Sequence, residues 1–309
     1  MSNVNVVTTK HQLRPLEELD LMDDFLFQEL LMQERDGEEF CRILLSTILG
    51  KQIRNVRIIP QKNILGVDTN RHGIRMDAYI EDISEGNIVS GAEVFDAQVA
   101  PDIYDIEPNK RYEKQTLPKR MRYYHGLIDT QLLAANTEYE KLPNVVIIVI
   151  LPYDPFGKNR MVYTIRNQCE EDTTIPYDDG ARKIFLYTKG REGNPSQELQ
   201  DMLKYMEETI DENVTNEDID TIHHLVKKVK QRREVGINYM KSWELERMYR
   251  EEGKQEGLAE GLEQGISALI KACREFRISR DDTLAKVMYN FRLEQEIAEG
   301  YMRKYWQES

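Results

Sequence analysis

The stretch IRMDAYI at residues 74–80 alternates with a period of two. Ile74, Met76, Ala78 and Ile80 fall on one face, and Arg75, Asp77 and Tyr79 on the other. Such alternation marks a half-buried strand. A second alternating stretch, IYDIE at 103–107, sets Tyr104 and Ile106 opposite Asp105 and Glu107. Upstream, Val56–Ile59 is a short β-branched strand. Asp20 to Leu49 reads as helix, because Phe25, Leu26, Leu30, Leu31, Phe40, Ile43, Leu44 and Ile48 recur at three and four. The acidic block ERDGEE is a place where that helix could break, and Gly50 sits where a helix stop belongs. Downstream, Pro118 suits a first helical turn, followed by the apolar stripe Met121, Tyr124, Ile128 and Leu132. Val145–Leu151 is wholly apolar and closed by Pro152, as expected of a strand covered on both faces. Met161–Ile165 and Lys183–Tyr187 are further strands. Residues 82–102, rich in Gly, Ser, Asp and Glu, read as an irregular insertion. The order is helix, three strands, helix, strand, then more strands, which is an α/β arrangement on a mixed sheet.

The chain has 309 residues, 40% apolar and 31% charged, enough for a packed core in one large domain or two. Its longest apolar run, Val145 to Leu151, is far short of the roughly 20 residues a membrane helix needs. No charged start followed by an apolar block marks a signal peptide. Cys41, Cys169 and Cys273 are odd in number and widely spaced, which fits a reducing cytoplasm better than a disulfide framework. The net charge of −13 discourages nucleic-acid binding as a global property. Locally the balance reverses: KRYEKQTLPKRMR at 110–122 holds six basic residues against one acid, with Tyr112, Tyr123 and Tyr124 in or beside it. That pattern either grips a phosphate backbone and stacks on bases or forms an ordinary solvated helix face.

Three regions are expected: a flexible lead at 1–19, an α/β domain at 20–195, and a charged helical region at 196–309. The last contains EEGKQEGLAEGLEQG, with Gly253, Gly257, Gly261 and Gly265 spaced at four. Either this is an acidic linker or a helix whose bare stripe admits a neighbouring helix. Asp281 to Trp306 reads as a helical hairpin.

Adjacent placement of the two alternating strands would set Asp77 beside Glu107. Two hard oxygen donors, with waters and a phosphate oxygen, are what Mg²⁺ prefers. A structural pair of carboxylates at a sheet edge is the plainer alternative. Asp68 and Asp82 are less well placed, lying outside such clean alternation.

Around these residues the sequence resembles the PD-(D/E)XK nuclease superfamily, and within it the PD-(D/E)XK nuclease-family transposases, or recombination-promoting nucleases. The similarity rests on GIRMDAYIED at 73–82, IYDIEPNK at 103–110, LPKRMRYYHGLID at 117–129, YEKLPNVVIIVILPYDPFG at 139–157, NQCEED at 167–172 and DGARKIFLYTKG at 179–190. The EG repeat and YMRKYW extend it over roughly residues 20–306. The resemblance implies a restriction-endonuclease-like core of order αβββαβ with a mixed sheet, carrying a helical C-terminal extension. It implies a Mg²⁺ (or Mn²⁺) dependent endonuclease acting on DNA, with Asp77 as metal-binding aspartate and Glu107 opening the (D/E)xK signature. The signature's lysine position holds Asn109, which is uncharged. Lys110 lies one residue on and points to the other strand face unless the strand bulges at Pro108. Glu39 is the candidate third acid by spacing, with Glu38 and Asp24 as alternatives. Lys119, Arg120, Arg122 and Tyr124 are the expected DNA contacts, and His125 is expected at the surface.

Two functions follow as expectations. One is a metal-dependent DNA endonuclease that promotes recombination. The other is a catalytically degenerate protein on the same fold that binds DNA or protein. Either would work in the cytoplasm without a membrane, and the C-terminal helices offer a route to a homo-oligomer.

Overall fold

The computed structural model describes residues 13–64, 73–83, 101–133 and 138–306. Asp68, most of the expected insertion at 82–102 and most of the N-terminal lead lie outside them. The chain forms α1 (Asp24–Leu31), α2 (Glu34–Leu49), β1 (Val56–Ile64), β2 (Ile74–Asp82), β3 (Asp102–Pro108), α3 (Leu117–Leu132), β4 (Val145–Leu151), β5 (Val162–Ile165) and β6 (Ala181–Tyr187). The expected first helix is indeed two pieces, but ERDGEE does not separate them. The break falls at Met32–Gln33, and the acidic block opens α2, where carboxylates complement the helix dipole. Gly37 belongs there for a steric reason: a Cβ would sit 2.7 Å from the Leu31 carbonyl oxygen. Gly50 closes α2 in the left-handed conformation at φ 61°.

The six strands make one mixed sheet in the order β1-β2-β3-β4-β6-β5. β1, β2 and β3 are antiparallel neighbours, β3, β4 and β6 are parallel, and β5 closes the far edge antiparallel to β6. β1 runs through Pro60, which an edge strand tolerates because the missing N–H faces no second neighbour. The parallel step from β3 to β4 needs a crossover, and α3 supplies it. Leu117, Met121 and Ile128 of α3 pack against Val145, Ile147, Val149 and Leu151 of β4. All seven residues of β4 are buried, as its composition requires.

Gly190, just past β6, has no room for a side chain: a Cβ would lie 2.6 Å from both the Cα and the nitrogen of Met161. Gly190→Ala is therefore expected to destabilise the fold by about 1–3 kcal/mol, read as a lower urea midpoint with the slope unchanged.

Two compact units divide the chain, 1–237 and 238–309. The junction thus falls well beyond the expected boundary at 195/196. The intervening helices α4 (Gln197–Glu207) and α5 (Glu217–Lys230) pack on α1 and α2 as part of the first unit. Leu203, Tyr205, Met206, Ile219, Ile222 and Val229 are fully buried. The Met22 amide donates to the Met206 carbonyl at 3.2 Å, and Lys228 pairs with Asp36 at 2.6 Å.

Helix α6 (Arg233–Glu275) runs unbroken through Gly253, Gly257, Gly261 and Gly265, so this stretch is helix rather than linker. The second unit closes with α7 (Arg280–Phe291) and α8 (Gln295–Tyr305), the expected hairpin. Val287, Ala298 and Met302 pack there on Ile266 and Ile270 of α6. Among the described residues no helix is long and apolar enough to cross a membrane.

Candidate active site

Tyr79 of β2 stands opposite Asp105 of β3, and the antiparallel register carries on to set Asp77 against Glu107. The Asp77 amide N–H donates to Glu107 Oε1 at 3.3 Å. Strand alternation puts Asp77, Asp105 and Glu107 on one face of the sheet, the face that α3 covers. From α1, Gln28 Nε2 donates to Asp77 Oδ1 at 3.0 Å and to its carbonyl at 3.2 Å. From α3, Arg120 brings Nη2 to 3.9 Å from Glu107 Oε2, and its Nη1 pairs with Glu113. One turn on, the Tyr124 ring lies 5.8 Å from the Arg120 guanidinium.

Burial governs the electrostatics. It pushes the Asp77 carboxyl from its ordinary 3.8 up to about 6, helped by the Asp24 charge and opposed by Arg75 and Arg120. Glu107 rises from 4.5 to about 8, through burial and then the Asp77 charge, against Arg120 and the Asp77 amide. Asp105 is wholly buried, neither carboxyl oxygen has a hydrogen-bond partner, and its proton is held well above the usual carboxylate range. Burial and then Glu107 are the causes. The Tyr124 hydroxyl is pushed up to about 12 by burial and the Glu107 charge.

The remaining expected residues are placed as follows. The Asn109 amide donates to the Ile150 carbonyl at 2.8 Å, so the parallel ladder continues past Pro108 without a bulge. Asn109 therefore shares the Glu107 face. Its Oδ1 accepts from the Arg111 amide at 2.8 Å, while its buried Nδ2 has no hydrogen-bond partner. Lys110 takes the other face and pairs with Asp23 at 2.6 Å. Glu39 is held by Arg42 on α2 at 2.6 Å. The acid whose charge acts on both Asp77 and Glu107 is Asp24, at the start of α1. Asp82 sits at the opposite end of β2, beside Lys51. Lys119 and Arg122 are exposed on α3, whereas Arg120 turns inward to the carboxylates. His125 is buried rather than at the surface, and burial lowers it to about 4.

Sequence reasoning passed over Asp105 and Gln28. Asp105 was legible as the residue two before Glu107 on the same face. Gln28 stands one helical turn after Asp24, a spacing that puts both on one side of α1.

Among the described residues no three His, Cys, Asp or Glu side chains converge to hold a metal ion. The pair itself fits a divalent cation that fills its remaining coordination with water and phosphate oxygen. Both donors are hard oxygens, both are stripped of much of their hydration, and the Asp77 charge raises the proton affinity of Glu107, a repulsion that a cation relieves.

These shifts set the sign of a pH effect on the metal-free protein. Below about pH 4 folded and unfolded chains both hold the protons, and the pair costs nothing. Above that, the unfolded chain releases protons that the folded chain keeps, so stability falls as pH rises to the folded value of about 8 for Glu107. His125 acts oppositely but only below its ordinary 6.5. The melting temperature is therefore expected to decline between about pH 6.5 and 8.5 in EDTA. A flat or rising profile over that window would contradict the raised proton affinity of Glu107.

No protein-family model, no curated protein and no solved structure matches the chain.

Proposed function

We propose that this chain is a Mg²⁺- or Mn²⁺-dependent DNA endonuclease of the PD-(D/E)XK kind, hydrolysing phosphodiester bonds in a recombination-promoting, transposase-like role in the cytoplasm. The observation that supports it most is the juxtaposition of a half-buried Asp77 and a buried Glu107 at neighbouring strand positions, both disfavoured as anions by desolvation. Asp77 and Glu107 would hold the cation. When bound, such a cation neutralises charge on a phosphate oxygen and lowers the pKa of a water. Gln28 fixes the Asp77 carboxylate, and Arg120 supplies the positive charge that the (D/E)xK lysine would otherwise bring. Asn109 offers a free amide donor on the same face for a phosphate oxygen. Lys119 and Arg122 are left exposed to meet flanking phosphates.

The second reading is a catalytically degenerate nuclease fold that binds DNA or protein. The engagement of Lys110 by Asp23, away from the carboxylate pair, favours it. Supercoiled plasmid incubated with the protein separates the two. Nicking that requires Mg²⁺ or Mn²⁺ and stops with EDTA is expected. DNA retention without nicking in either ion would establish the second reading.

A further inference from the structure

From residue 240 to residue 262 every position of α6 is exposed except Trp243, which is half-buried. A solvated helix of this length draws little stability from propensity alone, and most helices are held by packing an apolar face. Here Gly253, Gly257 and Gly261 each cost roughly 1 kcal/mol relative to alanine. The same segment leaves Leu245, Met248, Tyr249 and Leu258 exposed at 48%, 57%, 64% and 65%.

These residues are not scattered. Leu245, Tyr249, Gly253, Gly257 and Gly261 form one row at a spacing of four, bulky in its first half and bare in its second. A Cβ at Gly253, Gly257 or Gly261 would meet nothing within 4 Å. Charge divides the same way. Residues 238–250 carry three basic and two acidic groups, a net +1, while 251–263 carry one basic and five acidic, a net −4.

We propose that this segment of α6 pairs antiparallel with the same segment of a second copy of the chain. A two-fold axis near Glu251 sets Tyr249 over the partner's Gly253 and Leu245 over the partner's Gly257. Both contacts recur by symmetry, as a self-complementary interface requires. Rows at a spacing of four interdigitate when helices cross at about −50°, so the contact centres on these residues. A parallel pair is disfavoured twice, because it stacks bulk on bulk and the −4 half on its equal. The charge division also favours a second copy over an unrelated partner, since the acidic half finds its complement in the same helix.

Sedimentation velocity on the full chain tests this. The wild type is expected to dimerise, and to do so less tightly as salt is raised. Gly253→Leu and Gly257→Leu fill the gaps while favouring helix, so lost association cannot be put down to melting. Each is expected to weaken the dimer at least about tenfold, with helical circular dichroism no lower than wild type, and Tyr249→Ala should weaken it too. A wild type that stays monomeric at roughly 0.1 mM, or a dimer unchanged by both glycine variants, would overturn the proposal. So would a mass reached only by capturing another protein.

Discussion

Glu107→Gln is expected to bring Mg²⁺-dependent nicking of duplex DNA down by at least about a hundredfold, while making the metal-free protein more stable at pH 8. The two effects share one cause. Glu107 is a buried carboxylate beside Asp77, and its folded-state proton affinity is raised to about 8. Ionising it inside the protein therefore opposes folding at alkaline pH. Glutamine keeps its shape and its ability to accept the Asp77 amide, but carries no charge to repel Asp77. A gain of about 1 kcal/mol would move the melting temperature by about 2–4 °C for a unit of this size. The decline in stability between neutral pH and pH 8.5 should flatten in the same variant. Retention of DNA should survive, because the proposed phosphate contacts, Lys119 and Arg122, are exposed on α3 and remote from the substitution in role. A variant that loses both activity and stability would point to a structural carboxylate instead. Comparing nicking, melting temperature and filter retention in one preparation distinguishes these outcomes.

Ending the chain at residue 195 is expected to leave no folded core, whereas ending it at 237 should leave one with cooperative unfolding. Residues 197–230 bury the faces of α4 and α5 against α1 and α2. Without them Leu26, Phe27, Phe40 and Leu44, all fully buried, belong to helices stripped of their cover. Tyr205, Met206, Leu203 and Ile222 are each buried as well, and the loss of one such side chain typically costs about 2–5 kcal/mol. Hydrogen bonds tie the same elements to the N-terminal segment. The Leu21 amide donates to Thr209 Oγ1 at 2.9 Å, and Lys230 Nζ donates to the Glu17 and Leu19 carbonyls at 2.8 and 2.7 Å. Total stability of a domain is about 5–15 kcal/mol, so the summed loss exceeds it. Limited proteolysis should accordingly spare residues 197–230 and cut first elsewhere. A soluble, cooperatively melting 1–195 fragment would contradict this.

The strand pair was legible because alternation at 74–80 and 103–107 is a local property of the chain. Its consequence was less so. The period of two placed Asp105 with Glu107, yet nothing in the pattern said that α3 would cover that face and leave Asp105 dry. Register was likewise hidden, because the long segment between β2 and β3 leaves the offset of the two strands free. Continuation of the ladder through Asn109 is a tertiary matter too: the acceptor is the Ile150 carbonyl, more than forty residues away in the chain. The boundary at 195 rested on charge, and charge misled. In α4 the charged residues lie outward while Leu199, Met202, Leu203 and Met206 recur at helical spacing and point inward. That periodicity was readable and outweighs composition. Arg120 shows the reverse, a basic residue in a basic run whose partners are carboxylates, Glu113 and the sheet's Glu107, rather than solvent or phosphate.

The central claim, that Asp77 and Glu107 form a divalent-cation site, is tested most directly by isothermal titration calorimetry. Mg²⁺ and Mn²⁺ are titrated into the metal-free full chain at about pH 7.5, in buffers of different ionisation enthalpy. The expected result is saturable binding that releases protons, because Glu107 holds one at that pH. That binding should be absent from Asp77→Asn and from Glu107→Gln. Binding that persists unchanged in both variants, or a wild type that binds neither ion, would contradict the assignment.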